Sequence, residues 1–318
     1  VSPRRRAGDE RGFALVAVLL VLAFVAVVGA EFAYSMRLEA TAARVYKETL
    51  IATHLAEAGV EQAIRELVSD FTTVSVGDDR DPDVDPECPI VFYGPGRIAR
   101  KRLPHKNVPL GGGQFTYCIS DEEARLNVNT SPPDRVSRLL EALGVERQDR
   151  DTIVASLQDW RDPNEEHRLS GAESDDTYLQ RPVPYRSKNA NLDSLAELIQ
   201  IKGITSKILE GEEGRPGLAG LVTVKSPGQV NLNTVGREVL RALSVADAEF
   251  TEIEQTRRVN PYTSVPGRLG GRNLSFTTRT FRIEAVGIVD GQVRARLTAI
   301  VQKRPGEGVA VLDWSGIR

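Results

Sequence analysis

Phe13-Ala-Leu-Val-Ala-Val-Leu-Leu-Val-Leu-Ala-Phe-Val-Ala-Val-Val-Gly-Ala30 carries no charged residue. As a helix rising about 1.5 Å per residue, this run is ~27 Å long, close to the ~30 Å hydrocarbon core of a bilayer. From Glu31 to about Leu67 there is no Pro, and the only Gly is Gly59. The membrane-length run therefore continues directly into a long water-side helix. Arg4, Arg5, Arg6 and Arg11 precede Gly12. By the positive-inside tendency they place the N-terminus in the cytoplasm and the bulk of the chain across the membrane.

Two plainer readings compete. A secretory signal peptide also has a basic start and an apolar middle, and Val28-Gly29-Ala30 could serve as its cleavage site. Such apolar middles usually run only ~7–15 residues, however, and the pattern after Ala30 is helical. A simple signal-anchor helix is the other.

Beyond Ala30, apolar residues recur at helical spacing: Leu38, Val45, Ala52, Leu55, Ala56, Val60, Ala63, Ile64 and Leu67. This stripe needs a partner surface, and a small downstream sheet is the natural one. Ile90–Tyr93 and Gln114–Ile119 read as strands, with Gly77–Pro86 a polar loop ahead of them. Gly111-Gly112-Gly113 reads as a flexible turn, because neither Lys-Ser/Thr nor a helix start follows to make a phosphate cradle. A mainly helical block follows and contains an internal echo. Asn127-Val-Asn-Thr130 and Asn231-Leu-Asn-Thr234 each lead into a helix, with the Thr or a following Ser as candidate cap. A third helical unit runs from Asp193, as cap, to Gly203. Phe276–Val289 and Gln292–Val301 then alternate as strands joined by Asp290-Gly291, a strong hairpin signal. A sheet begun before the helical block and finished after it makes that block an insertion.

The net charge of −3 gives no electrostatic case for nucleic acid. Cys88 and Cys118 are the only cysteines, and both lie beyond the membrane run, so a disulfide is expected in an oxidising compartment; two unpaired buried thiols are the alternative. His54, His105 and His167 are too dispersed for a zinc site. Asp159, Asp162, Glu165, Glu166, Glu173, Asp175 and Asp176 crowd a loop containing Pro163 and Gly171. Hard oxygen ligands on a loop suit Ca²⁺, although the spacing is not that of an EF-hand. A solvated loop with helix caps is the plain reading of the same residues. No nucleophile–base pair stands out, so the chain does not read as an enzyme. Leu198-Ile-Gln-Ile-Lys-Gly-Ile-Thr205 resembles the hairpin of helix-hairpin-helix modules. A membrane-anchored DNA-binding protein is thus the alternative function. Against it, Lys202 and Lys207 are outnumbered by Glu197, Glu210, Glu212 and Glu213.

Together these elements resemble the minor pseudopilin K family of type II secretion systems. The resemblance rests on Arg11-Gly-Phe-Ala-Leu15, Glu57-Ala-Gly59, Asp121–Asn129, Asp159–Pro163, Gly171-Ala-Glu173, Pro184–Asn189, Asp193–Leu198, Lys202-Gly203 and Val230–Thr234. It implies an α+β fold: a pilin-like long N-terminal helix packed on an antiparallel sheet, with a large mainly α-helical domain inserted. The expected divisions are a leader at 1–12, the transmembrane part at 13–30, the periplasmic helix and first strands at 31–120, the inserted domain at 121–272, and C-terminal strands and tail at 273–318. It also implies cleavage by prepilin peptidase between Gly12 and Phe13, methylation of the new amine, and anchoring in the inner membrane. The subunit would sit at the pseudopilus tip with minor pseudopilins I and J. Some relatives bind calcium in the inserted domain, which points again to the acidic loop. One departure from ordinary pilins is informative. Most carry Glu at the fifth mature position, which is Ala17 here if Phe13 is the mature start. A tip subunit has no neighbour above whose amine needs that charge.

Overall fold

A computed structural model describes residues 10–317 apart from 79, 80, 83, 213, 305 and 307. Most of the expected leader, with Arg4, Arg5 and Arg6, lies outside the described residues, as does Glu213.

Helix α1 (Glu10–Val68) is a single element of 59 residues. Its apolar run packs against nothing among the described residues: Phe13, Leu20 and Phe24 are all exposed. Burial starts near Glu48, and the buried face is Ala52, Leu55, Ala56, Val60, Ala63 and Leu67. Leu38 and Val45, expected in the same stripe, are 60% and 47% exposed. The reason is the length of the sheet beneath. Its lower end is the Asp290-Gly291 turn, which Arg44 reaches at 3.4 Å, so helix before Arg44 has no sheet under it.

The sheet is built from β3 (Val108–Leu110), β4 (Gly113–Asp121), β5 (Thr280–Val289), β6 (Gln292–Arg304) and β7 (Gly308–Ile317), after a separate antiparallel pair, β1 (Thr73–Val76) with β2 (Ile90–Tyr93). The order is β7-β6-β5-β4-β3, every neighbour antiparallel. β4 pairs with β5 over eight positions, Ile119 opposite Ile283. The whole helical domain lies between these two strands in sequence. Insertion is therefore the architecture, with two separate cores. α1 runs along β6: Glu48 meets Arg294 near one end, and the Ser69 carbonyl accepts from Lys303 near the other. Gly287 makes the close approach possible. A Cβ there would overlap the Ala52 carbonyl oxygen of α1, and β5 is bulged between Gly287 and Ile288. Strand β7 was not anticipated, because its apolar residues lie on a half-exposed edge and alternate weakly. The final sheet segment also starts later than expected. Leu274–Ser275 pair inside the helical domain, and β5 begins only at Thr280.

The echo in the sequence is an echo in structure. Leu126–Asn127 pairs in parallel with Val222–Thr223, and Val230–Asn231 with Leu274–Ser275. In each copy the first Asn accepts from the backbone N–H of the second, at 2.8 Å (Asn127) and 3.1 Å (Asn231). The second Asn then mimics a peptide. Asn129 bonds both N–H and C=O of Leu192, and Asn233 both of Tyr262. A helical hairpin follows each: α2 (Pro133–Ala142) with α3 (Arg147–Arg161), and α4 (Arg237–Ala242) with α5 (Asp247–Val259). The turns match, with Gly144 at φ 79° and Ser244 at φ 61°. The expected caps are not made. Pro132 and Gly236 precede α2 and α4, and neither helix has a side-chain cap. In the third unit the cap is Ser194 rather than Asp193, accepting from Ala196 N–H at 3.2 Å.

Gly287→Val should destabilise the fold by about 3 kcal/mol or more, since backbone rather than a mobile side chain blocks the added atoms. Urea unfolding of the water-side part measures this; an unchanged midpoint would show that α1 does not sit where described.

Candidate functional site: anchor helix, domain junction and acidic loop

Among the expected site residues, Gly12 and Phe13 lie in the first turns of α1, ahead of the exposed apolar run. Among the described residues one helix is long and apolar enough to cross a membrane by length and composition. Where α1 reaches the sheet, Glu48 takes Arg44 at 2.6 Å and Arg294 at 3.2 Å. The Arg44 hydrogen bond leads in holding the Glu48 carboxyl below its ordinary value.

Asp121, Glu122 and Glu123 form the junction between sheet and inserted domain, a role that sequence reasoning missed. Asp121 is buried at the end of β4. It accepts from Thr234 Oγ1 (2.5 Å), Asn231 Nδ2 (2.7 Å), Thr278 Oγ1 (2.7 Å) and Glu123 N–H (2.8 Å). These donors come from both sides of the insertion and from the second Asn repeat. Glu123 Oε1 accepts the backbone N–H groups of Arg279 and Thr280, each at 3.0 Å, where the chain re-enters the sheet. Glu122 is fully buried and answered by Arg282 at 2.8 Å and Arg125 at 3.0 Å. Burial pushes the Asp121 and Glu123 carboxyls up, against the pull of their hydrogen bonds. The available signal was three consecutive acids closing an alternating strand, where at least one must face inward and find donors.

Cys88 and Cys118 are joined as a disulfide, with Cα atoms 5.4 Å apart. It ties the segment before β2 to β4. Closing a loop of this size contributes about 3–4 kcal/mol in the chain-entropy model. Close by, Glu66 of α1 accepts from Arg102 at 2.6 Å and from the Tyr117 hydroxyl at 2.9 Å. Burial, then the Glu66 charge, raises the Tyr117 hydroxyl well above its ordinary value.

The acidic loop separates into parts. Asp159, at the end of α3, is fully buried and accepts Arg168 Nη1 at 2.6 Å and the N–H groups of Ala172 (2.9 Å) and Arg168 (3.1 Å). Gly171 permits this, as a Cβ there would strike Asp159 Oδ2. The same Arg168 nitrogen pairs with Asp162. Asp176 receives Glu173 N–H at 3.1 Å and His167 Nδ1 at 3.0 Å. Glu166 and Asp175 are exposed. Glu173 is buried; Ser187 donates to its Oε2 at 2.6 Å, while Oε1 has no partner. Glu165 stands next to it, accepting from Asn189 at 3.0 Å and Ser174 at 3.3 Å. Burial first, then the charges of Asp159, Glu165 and Asp162, raise the Glu173 carboxyl. Among the described residues no three His, Cys, Asp or Glu side chains converge as a ligand set. A cation thus fits only part of the loop. Among the described residues Glu165 and Glu173 have no ion pair, whereas Arg168 already answers Asp159 and Asp162.

In the segment resembling a DNA-binding hairpin both lysines have partners within the chain. Lys202 Nζ donates to the Gly171 carbonyl at 3.0 Å, and Lys207 pairs with Glu212 at 3.0 Å. Lys207 stays exposed, but its charge is answered by a neighbouring carboxylate.

A membrane-length helix continuing onto an antiparallel sheet, with a helical domain inserted, is a pilin-like α+β fold. Residues 119–211 match the family model described as type II secretion system, protein K. A type II secretion protein K of Pectobacterium carotovorum subsp. carotovorum is 35% identical over 33% of this chain and 36% of its own length. The protein K of Pseudomonas aeruginosa is 25% identical over 92% of this chain and 89% of that one. The chain thus spans only about a third of the first of these relatives but nearly all of the second. Among solved structures, the GspK-GspI-GspJ complex from enterotoxigenic Escherichia coli contains a chain with TM-score 0.59 and 18% identity, over 88% of this chain and 99% of that chain. That likeness carries the fold. Family model and relatives alike are proteins K of type II secretion systems, and these are what the chain is similar to.

Asp121→Ala should cost at least about 3 kcal/mol, because four donors, three of them buried, lose this acceptor together. Thr278→Val, which removes only one of them, should cost about 1 kcal/mol. Urea midpoints for the two variants check the ordering, and equal small effects would refute the junction.

Proposed function

We propose that this chain is a minor pseudopilin at the tip of a type II secretion pseudopilus, where it helps to start assembly and export across the outer membrane. The observation that carries the reading is α1: one unbroken helix, apolar and unpacked for its first half, bound to a sheet for its second. Such a helix is held in a membrane before assembly and lies beside other helices after it. The anchor crosses the inner membrane once, with a cytoplasmic N-terminus and a periplasmic body. Prepilin peptidase cuts between Gly12 and Phe13. Absence of a charge at Ala17 suits a subunit with none above it, since an unpaired ionisable group in lipid is costly. The inserted domain is too bulky to repeat along a tightly wound shaft. The structural neighbour was solved with I and J proteins; the corresponding minor pseudopilins are the proposed partners here. The chain works by assembly and not by catalysis, and it does not engage nucleic acid.

A structural calcium ion on the helical domain is part of the proposal. Glu165 and Glu173 would hold it, with charge the buried Glu173 otherwise lacks. Calcium supplies that counter-charge and prefers such hard oxygen donors.

Two outcomes are expected. Purified from its own cells in detergent, the chain should retain the I and J pseudopilins and begin at N-methylated Phe13 by mass spectrometry. A start at Glu31, or no partner retained, would contradict the proposal. Calcium should raise the melting temperature of the chelator-treated protein by mass action, and Glu173→Gln should abolish the gain. A melting temperature indifferent to calcium would remove the ion from the account.

A further inference from the structure

The two halves of the Cys88–Cys118 disulfide sit in different surroundings. Cys88 is buried, with 4% of its surface exposed. Cys118 is half-buried, on the face of β4 opposite to the buried Tyr117 and Ile119. The sulfurs also differ in their polar neighbours. Cys118 Sγ lies 3.8 Å from the Glu87 carbonyl oxygen and 3.6 Å from that of Ile119. Cys88 Sγ shares the Ile119 carbonyl at 3.6 Å, but it also has Arg102 Nη1 at 3.9 Å. That guanidinium is held from elsewhere. Glu66 takes its Nε at 2.6 Å and its Nη2 at 3.3 Å, and Nη1 donates to the Ile90 carbonyl at 3.2 Å.

In thiol–disulfide exchange a thiolate attacks one sulfur and the other leaves as a thiolate; access and the stability of the leaving thiolate decide which. Carbonyl oxygens disfavour a thiolate, and a neighbouring guanidinium favours one. Access and charge therefore select the same direction. We propose that Cys118 is a site of reversible S-thiolation, with Cys88 as the leaving sulfur. An external thiolate attacks Cys118 Sγ and forms a new S–S bond there. The Cys88–Cys118 bond breaks, and its electron pair departs on Cys88 Sγ beside Arg102. The proton of the incoming thiol goes to water. In reverse, the Cys88 thiolate attacks the mixed disulfide on Cys118 and expels the external thiolate, which is the step that closes the bridge in the folded chain. Nothing in this depends on where in a fibre the subunit sits.

Partial reduction of the full chain in detergent tests it, with 2-mercaptoethanol as an uncharged monothiol probe. The reaction is quenched with acid, free thiols are blocked with N-ethylmaleimide, and both groups are mapped by peptide mass spectrometry. The mercaptoethanol adduct is expected on Cys118 and the maleimide on Cys88, with about tenfold or more preference over the opposite arrangement. Arg102→Gln should slow the reduction at least about threefold, because the leaving thiolate loses its cation. The sign is informative: if Arg102 only propped the fold, its loss would loosen the bridge and speed reduction. If Arg102→Gln does not fold, the position of the adduct on the unaltered chain still decides. An adduct on Cys88, adducts shared evenly between the two cysteines, or a folded Arg102→Gln reduced as fast as the unaltered chain or faster would overturn the proposal.

Discussion

Everything in this molecule depends on α1 lying flat on the sheet. The helix cannot bend away, because it has no Pro, and its one water-side glycine, Gly59, is itself pressed against Ala285 and Phe115. Small residues on the contact face, Ala52, Ala56 and Ala63, bring the helix backbone close to the strands, and Gly287 receives it. Leu55, Val60 and Leu67 then fill the gaps, each worth roughly 1.5–3 kcal/mol when fully buried. A helix fixed in this way fixes the direction of its apolar extension as well. The apolar segment projects from the body as a continuation of the same helix.

A second constraint follows from the insertion. The sheet leaves at Asp121 and resumes at Thr280, and the two cut ends lie side by side as β4 and β5. The helical domain must therefore leave and return at one place. Asp121, Glu122 and Glu123 bind both crossings there, together with Asn231, Thr234 and Thr278. Paired, hydrogen-bonded carboxylates at such a point specify geometry more than they add stability. Beyond the junction, two copies of an Asn-x-Asn turn and helical hairpin share one core, and Arg138 of α2 donates to the Ala242 carbonyl at the end of α4.

Much of this was legible in the residues. The membrane run, the unbroken helix, the Asp290-Gly291 hairpin and the repeated Asn-x-Asn are local signals with local causes, and the fold follows from their order. The misses share a different cause. Leu38 and Val45 have the right spacing, but where the sheet ends is set by tertiary length, not by helical period. Thr130 and Ser131 look like caps, yet the preceding Asn turn and Pro132 displace them. Strand β7 sits on an edge, where one-sided burial weakens alternation. In the acidic loop, seven carboxylates look alike in sequence. Only the fold shows that Arg168 answers two of them, that Glu166 and Asp175 face water, and that Glu173 is left buried with an unpartnered oxygen. No spacing rule predicts which cation, a guanidinium or a metal ion, a given carboxylate will meet.

The central claim is that this subunit ends a fibre rather than building its length. Immunogold labelling of isolated pseudopili with an antibody against the helical domain tests it most directly. The account predicts label at one end of each fibre, about one site per fibre. Label spaced regularly along the shaft would contradict it.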